Sequence, residues 1–376
     1  MLQKPQKTGG ESMLGKEAPC DRFHGKRRKI ISTVRKQITP ATRYLILALT
    51  DECNLRCLYC YRGEPEAKQS MSRKTAGKSL RFAAASGKPF HVQMTGGEPA
   101  LVPEMIEWTS SQIRSAGRPA TIAVQTNGTL LDRALIKYLK RYDVQVGISL
   151  DGAPAVQEKL RGRAAETIRG MKLLSDANME FRVTAVVTRQ NVEHLHDLAL
   201  FLAAFPGCRG LGLDMLVNRG RAAASKTVAA PLPEALKTGV IRLTETLRRI
   251  NRRRSVPIQL REWERIKGRR VRGASDYCHA CRGESLAVLP DGTLFPCSQT
   301  AGDPAFACGT VDAPDTSKIT ALSGLTLCGE QCGGCLLASY CPGDCPSRLY
   351  YNGIQNSRLA CVMYQTLWQE YTRSLQ

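Results

Sequence analysis

Six short runs rich in Val, Ile and Leu, at 44–50, 90–95, 121–125, 144–150, 181–187 and 211–217, alternate along the chain with stretches of helical periodicity. Strands joined by crossovers of helix length lie parallel, because a tight turn cannot carry the chain back to the start of a parallel neighbour. Three crossovers have legible ends. Residues 72–85 open on Ser72, whose hydroxyl suits a helix cap; 102–116 stop before Gly117; 131–141 carry Leu131, Leu135, Ile136 and Leu139 on one face. The pattern predicts an α/β fold with a parallel (β/α)6 sheet over residues 43–230. Such sheets collect their chemistry at the C-terminal ends of the strands. Periodicity alone leaves an open sheet and a partial barrel as alternatives.

Each short motif falls at such an end. After the first run comes Cys53-Asn54-Leu55-Arg56-Cys57-Leu58-Tyr59-Cys60, a C-x3-C-x2-C triplet. Three thiolates can hold three irons of a [4Fe–4S] cluster and leave the fourth open to an incoming ligand. A zinc knuckle is the competing reading, and it wants a fourth ligand nearby. Thr95-Gly96-Gly97-Glu98-Pro99 ends the second run, its glycines allowing close backbone approach and its carboxylate able to accept from an ammonium group. Further along stand Gln125-Thr126-Asn127-Gly128-Thr129, Ser149-Leu150-Asp151-Gly152 and Asn218-Arg219-Gly220-Arg221-Ala222.

Together these segments resemble the radical S-adenosylmethionine (radical SAM) enzymes, whose core is a partial (β/α)6 barrel. The resemblance implies that Cys53, Cys57 and Cys60 hold the cluster that cleaves SAM reductively, and that Tyr59 contacts the adenine. It places Gly96, Gly97 and Glu98 at the SAM amino group, Ser149 and Arg161 at its carboxylate, and Asp151 near its ribose. On this reading Gly97→Val is expected to block SAM while leaving the cluster assembled.

Cysteine dominates the C-terminal third. Cys281, Gly292, Cys297, Cys332, Cys335, Cys341, Cys345 and Cys361 match the spacing of the SPASM domain, the seven-cysteine extension of radical SAM peptide and protein maturases. The resemblance then spans residues 43–361. Asp291-Gly292 is a hairpin signal that would bring Cys281 and Cys297 close. Carried over from relatives with two fully ligated auxiliary clusters, Cys278, Cys281, Cys297 and Cys345 form one ligand set; Cys332, Cys335, Cys341 and Cys361 form the other. The short Cys278-x2-Cys281 spacing departs from those relatives and leaves open a first cluster with only three protein thiolates. Two four-thiolate zinc sites are the competing reading here. Cys20, Cys208, Cys308 and Cys328 have no slot; Cys208 reads as a packed loop thiol and Cys328 as a substitute for Cys332. Residues 231–277 read as a helical, basic bridge, opening with a helix over 231–251, and 278–376 as the small cysteine-rich domain.

Fifteen cysteines without an apolar signal core argue for metal–sulfur chemistry in a reducing compartment rather than disulfides. The polar segment 1–42 reads as a disordered basic arm and a cytoplasmic address, too short for a winged-helix peptide-recognition domain. No stretch approaches the roughly 18 apolar residues of a membrane span. The formal charge is +21; three clusters would lower it to about +16. That excess points to an acidic partner steered by the arginines of 248–254 and their neighbours Arg269, Arg270 and Arg272, with a second basic run at 26–29. The chain shows no RNA-binding module.

The expected activity is therefore hydrogen abstraction from a ribosomally made peptide or a protein side chain, installing a crosslink, oxidation or epimerisation. Its cofactors would be SAM and three [4Fe–4S] clusters, its reductant a flavodoxin or ferredoxin. Maturation of a small cofactor such as a tetrapyrrole is the enzymatic alternative. The non-enzymatic one is an iron–sulfur electron carrier or zinc-binding interaction protein. Sulfatase-maturing relatives place a basic aspartate after the cysteine matching Cys297. Here Ser298 stands there, and a hydroxyl is no base at neutral pH, so formylglycine formation is not expected.

Overall fold

A computed structural model describes residues 41–64, 68–272, 276–325, 332–338, 341–356 and 358–373. The basic run 26–29, most of the N-terminal arm, Cys20 and Cys328 lie outside the described residues. In chain order the elements are β1 (Tyr44–Ala48), α1 (Arg73–Ala84), β2 (Phe90–Thr95), α2 (Pro103–Ser115), β3 (Ala120–Thr126), α3 (Arg133–Arg141), β4 (Val144–Ser149), α4 (Pro154–Leu160) and α5 (Ala164–Asp176). There follow β5 (Phe181–Val187), α6 (Leu195–Ala203), β6 (Cys208–Met215), α7 (Arg221–Ala224), α8 (Pro233–Asn251), β7 (Gln259–Leu260) and α9 (Arg261–Arg272). The last are β8 (Ser285–Val288), β9 (Leu294–Phe295), α10 (Pro346–Asn356) and α11 (Arg358–Arg373).

β1 to β6 pair in sequence order, all parallel, as the alternation of runs requires. The two faces of this sheet differ. Leu45, Leu47, Val92, Met94, Ile122, Val124, Val146, Ile148, Val183 and Leu211 are buried in the core formed with the helices. Between them Tyr44, His91, Gln93, Gln125, Ser149 and Thr184 are only half-buried on the opposite face. A parallel sheet is normally apolar on both sides; this one presents a polar inner face.

Helix ends follow local chemistry. Ser72 accepts from Thr75 N–H at 3.0 Å and starts α1. Asp132 accepts from Leu135 N–H at 2.7 Å, so α3 begins two residues later than the apolar pattern suggests. β6 starts at Cys208, three residues earlier than its apolar run, because Cys208 and Gly210 already pair with Phe181 and Arg182. Gly210 and Gly212 dilute the hydrophobic signal there. Cys208 is fully buried at the start of this strand rather than in a loop.

The sheet does not stop at the six strands. β7 adds to the β6 edge, and β8 pairs parallel with β1, with Leu45 opposite Leu286. The expected hairpin is present, Val288 facing Leu294 across the Asp291-Gly292 turn. The cysteine-rich region is thus stitched to the first strand through a continuous sheet. α8 also enters the main core through Leu236, Val240, Leu243 and Leu247, packing on α6 and α11. Among the described residues no helix is long and apolar enough to cross a membrane.

Candidate functional site

The loop carrying Cys53, Cys57 and Cys60 leaves β1 and is held from four sides. Gly97 N–H donates to Thr50 O at 2.7 Å and Glu98 N–H to Glu52 O at 2.8 Å. A Cβ on Gly97 would lie 1.9 Å from Glu52 O, so glycine is needed there for contact with the cysteine loop itself. Gly96 adjoins it at φ +143°, against Thr50. From β3, Asn127 Nδ2 donates to Asn54 Oδ1, and Asn54 Nδ2 to Thr129 Oγ1, both at 2.8 Å. Leu58 N–H donates to Leu160 O at 2.9 Å. From beyond β6, Arg221 donates through its backbone N–H to Cys60 O and through Nε to Cys57 O, each at 2.9 Å. Gly220, at φ +58°, lets this segment pass where a Cβ would meet Cys60 O at 2.5 Å.

The three thiols are free. Lost hydration pushes the Cys53 thiol up to about 11, with Glu98, Cys57 and Cys60 adding repulsion. Desolvation also raises Cys57, opposed by Arg161, whose Nη1 lies 3.9 Å from its sulfur. Thiols that resist ionisation singly become thiolates when a cation binds them together. Three on one short loop fit a cluster that keeps one iron open.

The motif residues gather around this loop. Glu98 is buried, its carboxylate pushed up by desolvation. Its oxygens accept from Ala100 N–H, Thr126 Oγ1–H and Asn127 N–H at 3.0, 2.5 and 2.7 Å, so much of its capacity ties β2 to β3. Ser149 Oγ accepts from Gln125 Nε2 at 2.9 Å, which leaves the Ser149 proton free to be donated. Asp151 is fully buried and accepts from Arg161 Nε at 2.8 Å, from Val186 N–H at 2.9 Å and from the Tyr59 hydroxyl. Tyr59 is buried against Leu160, Leu216, Ala222 and Val228, with the Arg161 guanidinium 5.4 Å from its ring centre. Asp151 therefore fixes Arg161 and Tyr59, a role the sequence does not reveal. Asn54, Arg221 and Gln125 lie in motif segments, but the contacts each makes across strands are not legible in the sequence.

The C-terminal thiols fall into two neighbourhoods. Cys278 and Cys281 sulfurs stand 3.9 Å apart. Burial pushes Cys297 up to about 12, and Cys345 and Cys278 add to the shift; Cys345 likewise acts on Cys281. Burial pushes Cys361 up to about 11, with Cys341, Cys332 and Cys335 as its next influences. Cys308 is buried apart from both groups, its thiol on Phe306 O at 3.3 Å. Among the described residues no three Cys, His, Asp or Glu side chains close on a single metal ion. Two four-thiol neighbourhoods are a donor set that iron–sulfur clusters fit.

The two cysteine regions meet. Burial raises the pKa of the Tyr61 phenol, next to Cys60, with Ser298 and Cys297 among the groups that influence it. Arg219 crosses the same seam, donating to Gln299 O at 2.6 Å and Ala301 O at 2.8 Å.

The basic run is placed elsewhere. Arg254 donates to Ala203 O, Phe205 O and Cys208 O at 2.9, 3.2 and 3.0 Å, which puts it at the start of β6, the end remote from the motifs. Arg248 pairs with Glu370 at 3.0 Å. These two arginines are structural and do not form a free steering surface.

Comparison with known proteins agrees with this geometry. Residues 47–202 match the family model described as the Radical SAM superfamily. The chain is 29% identical over 268 residues to the uncharacterized protein MJ0907 of Methanocaldococcus jannaschii, covering 69% of this chain and 86% of that one. It is 27% identical to the serine-type anaerobic sulfatase-maturating enzyme of Klebsiella aerogenes, covering 83% and 81%. The solved structure of native anSMEcpe with bound AdoMet superposes with a TM-score of 0.72 at 18% identity, covering 89% of this chain and 98% of that one, and so shares the fold.

Proposed function

We propose that this chain, a radical SAM enzyme whose relatives are SPASM-type maturases, takes a hydrogen atom from a ribosomally made peptide or a protein side chain and so installs a crosslink, oxidation or epimerisation. The observation that carries this reading is the seam where Arg219 holds Gln299 and Ala301, beside Cys297, while Arg221 holds the Cys57 and Cys60 carbonyls. A side chain held on the polar inner face beside that seam would lie within reach of both cysteine regions.

SAM and a [4Fe–4S] cluster supply, when bound, a carbon radical by one-electron cleavage of a carbon–sulfur bond. Cys53, Cys57 and Cys60 would hold that cluster. Ser149, its proton left free by Gln125, and Arg161 would take the SAM carboxylate; the remaining lone pair on Glu98 would take the amino group. Cys278, Cys281, Cys297 and Cys345, and Cys332, Cys335, Cys341 and Cys361, would hold two auxiliary clusters. A flavodoxin- or ferredoxin-type carrier would deliver electrons. Ser298 offers no carboxylate base, which separates the reaction from that of the sulfatase-maturating relative.

The test is anaerobic incubation of reconstituted protein with SAM, reductant and the short peptides encoded beside its gene. 5′-Deoxyadenosine together with a mass change on one peptide supports the reading. 5′-Deoxyadenosine formed only with a tetrapyrrole precursor would replace it with the small-cofactor alternative.

A further inference from the structure

The Cys345 thiol sits among polar side chains. Its sulfur is buried, 3.0 Å from Ser347 Oγ and 3.4 Å from Gln299 Oε1. One helical turn away Arg348 is buried at 3% exposure. Its Nε donates to Asp344 Oδ1 at 2.9 Å and its Nη2 to the Tyr277 hydroxyl at 2.9 Å. Arg265 stacks on the same Tyr277, its guanidinium carbon 4.7 Å from the ring centre, and its Nη1 is buried without a hydrogen-bond partner. The buried Asp344 carboxylate balances the Arg348 charge. At the second cysteine group Gly343 N–H donates to Cys341 at 3.3 Å and Gln365 Nε2 to Cys335 at 3.5 Å.

We propose that Arg348 and Ser347 tune the auxiliary cluster ligated by Cys345, raising its reduction potential. The inference rests on the auxiliary-cluster reading above. Adding one electron to a four-thiolate [4Fe–4S]2+ cluster makes its charge more negative, and Arg348, paired with the buried Asp344, favours that state as the positive end of an ion-pair dipole rather than as a lone cation. Hydrogen bonds to the ligating sulfur act in the same direction. Once Cys345 is a thiolate, the Ser347 hydroxyl and the Gln299 amide, whose O and N exchange by rotation, can both donate to it. Neither Arg348 nor Ser347 touches substrate; both act through the cluster.

The measurement is a potentiometric titration of the full-length, anaerobically reconstituted protein with dithionite, followed by electron paramagnetic resonance. In Arg348→Gln one auxiliary 2+/1+ couple is expected to shift to lower potential, while the other auxiliary couple and the SAM-binding couple stay in place. Arg348→Lys, which keeps the charge, should restore most of the shift. Ser347→Ala, which leaves the ion pair intact, should move the same couple in the same direction and serves if Arg348→Gln fails to fold. Full iron content with unmoved couples in Ser347→Ala and in any soluble Arg348 variant overturns the inference alone. Wild-type protein with only about four irons overturns the auxiliary-cluster reading and the inference together.

Discussion

Arg219 donates to the carbonyl oxygen of Gln299 at 2.6 Å, although eighty positions separate them in the chain. Two residues after Arg219, Arg221 grips the Cys57 and Cys60 carbonyls; two residues before Gln299 stands Cys297. The segment Asn218-Arg219-Gly220-Arg221 thus holds both cysteine regions, largely through arginine side chains on backbone carbonyls.

Replacing Arg219 with Ala removes two charge-assisted hydrogen bonds and its contact with the Tyr351 ring. Stability should fall by about 2–3 kcal/mol. The Cys53, Cys57 and Cys60 loop, gripped separately by Arg221, should retain its iron. Denaturant unfolding under anaerobic conditions measures the loss, and faster amide exchange at residues 298–303 locates it.

Gly97→Ala should remove about four irons and not merely SAM. The sequence alone suggested the opposite outcome for a larger side chain at this position, a blocked ligand beside an intact cluster. A Cβ on Gly97 points at the Glu52 carbonyl, one residue before Cys53, so the cysteine loop must shift first. Iron analysis and the visible spectrum decide; a variant with full iron that no longer binds SAM would restore the earlier expectation.

The strands, their parallel order and the residues at their ends were legible because each rests on local apolar runs and glycine-rich turns. Residue roles fixed by partners in other strands were not. Asp151 looks like any turn aspartate until Tyr59, Arg161 and Val186 are seen to converge on it. The join of β8 to β1 was equally hidden, since Ser285 to Val288 could pair with any exposed edge. The two cysteine groupings were carried over from the resemblance; spacing alone would have put Cys341 and Cys345, four residues apart, in one group.

Cys53→Ala, Cys57→Ala and Cys60→Ala together should lower the iron content of reconstituted protein from about twelve to about eight. The two C-terminal groups lie on other segments and should load independently. Zinc in place of iron in purified protein would contradict all three assignments.

Gln125→Leu should weaken SAM binding about tenfold, the worth of one oriented hydrogen bond. Gln125 Nε2 occupies the Ser149 oxygen and so directs the Ser149 proton outward. Without it the hydroxyl rotates among partners. Calorimetry on the reconstituted protein gives the affinity, and an unchanged value would mean that Ser149 is oriented by another group.

Neutralising the basic run separates charge from architecture. Arg249, Arg252 and Arg253 flank Arg254, which caps carbonyls at the C-terminal end of α6 and the start of β6, a helix end where a cation is favourable. The run therefore lies at the strand ends opposite the motifs. Arg249→Gln, Arg252→Gln and Arg253→Gln combined should leave KM for the true peptide substrate unchanged at physiological ionic strength, where exposed charges more than about 8 Å apart are largely screened. Arg254→Gln should instead reduce stability by about 2 kcal/mol, by orphaning the carbonyls it satisfies. A several-fold rise in KM for the triple variant with kcat unaltered would mark lost uniform binding, and would return the run to substrate recognition.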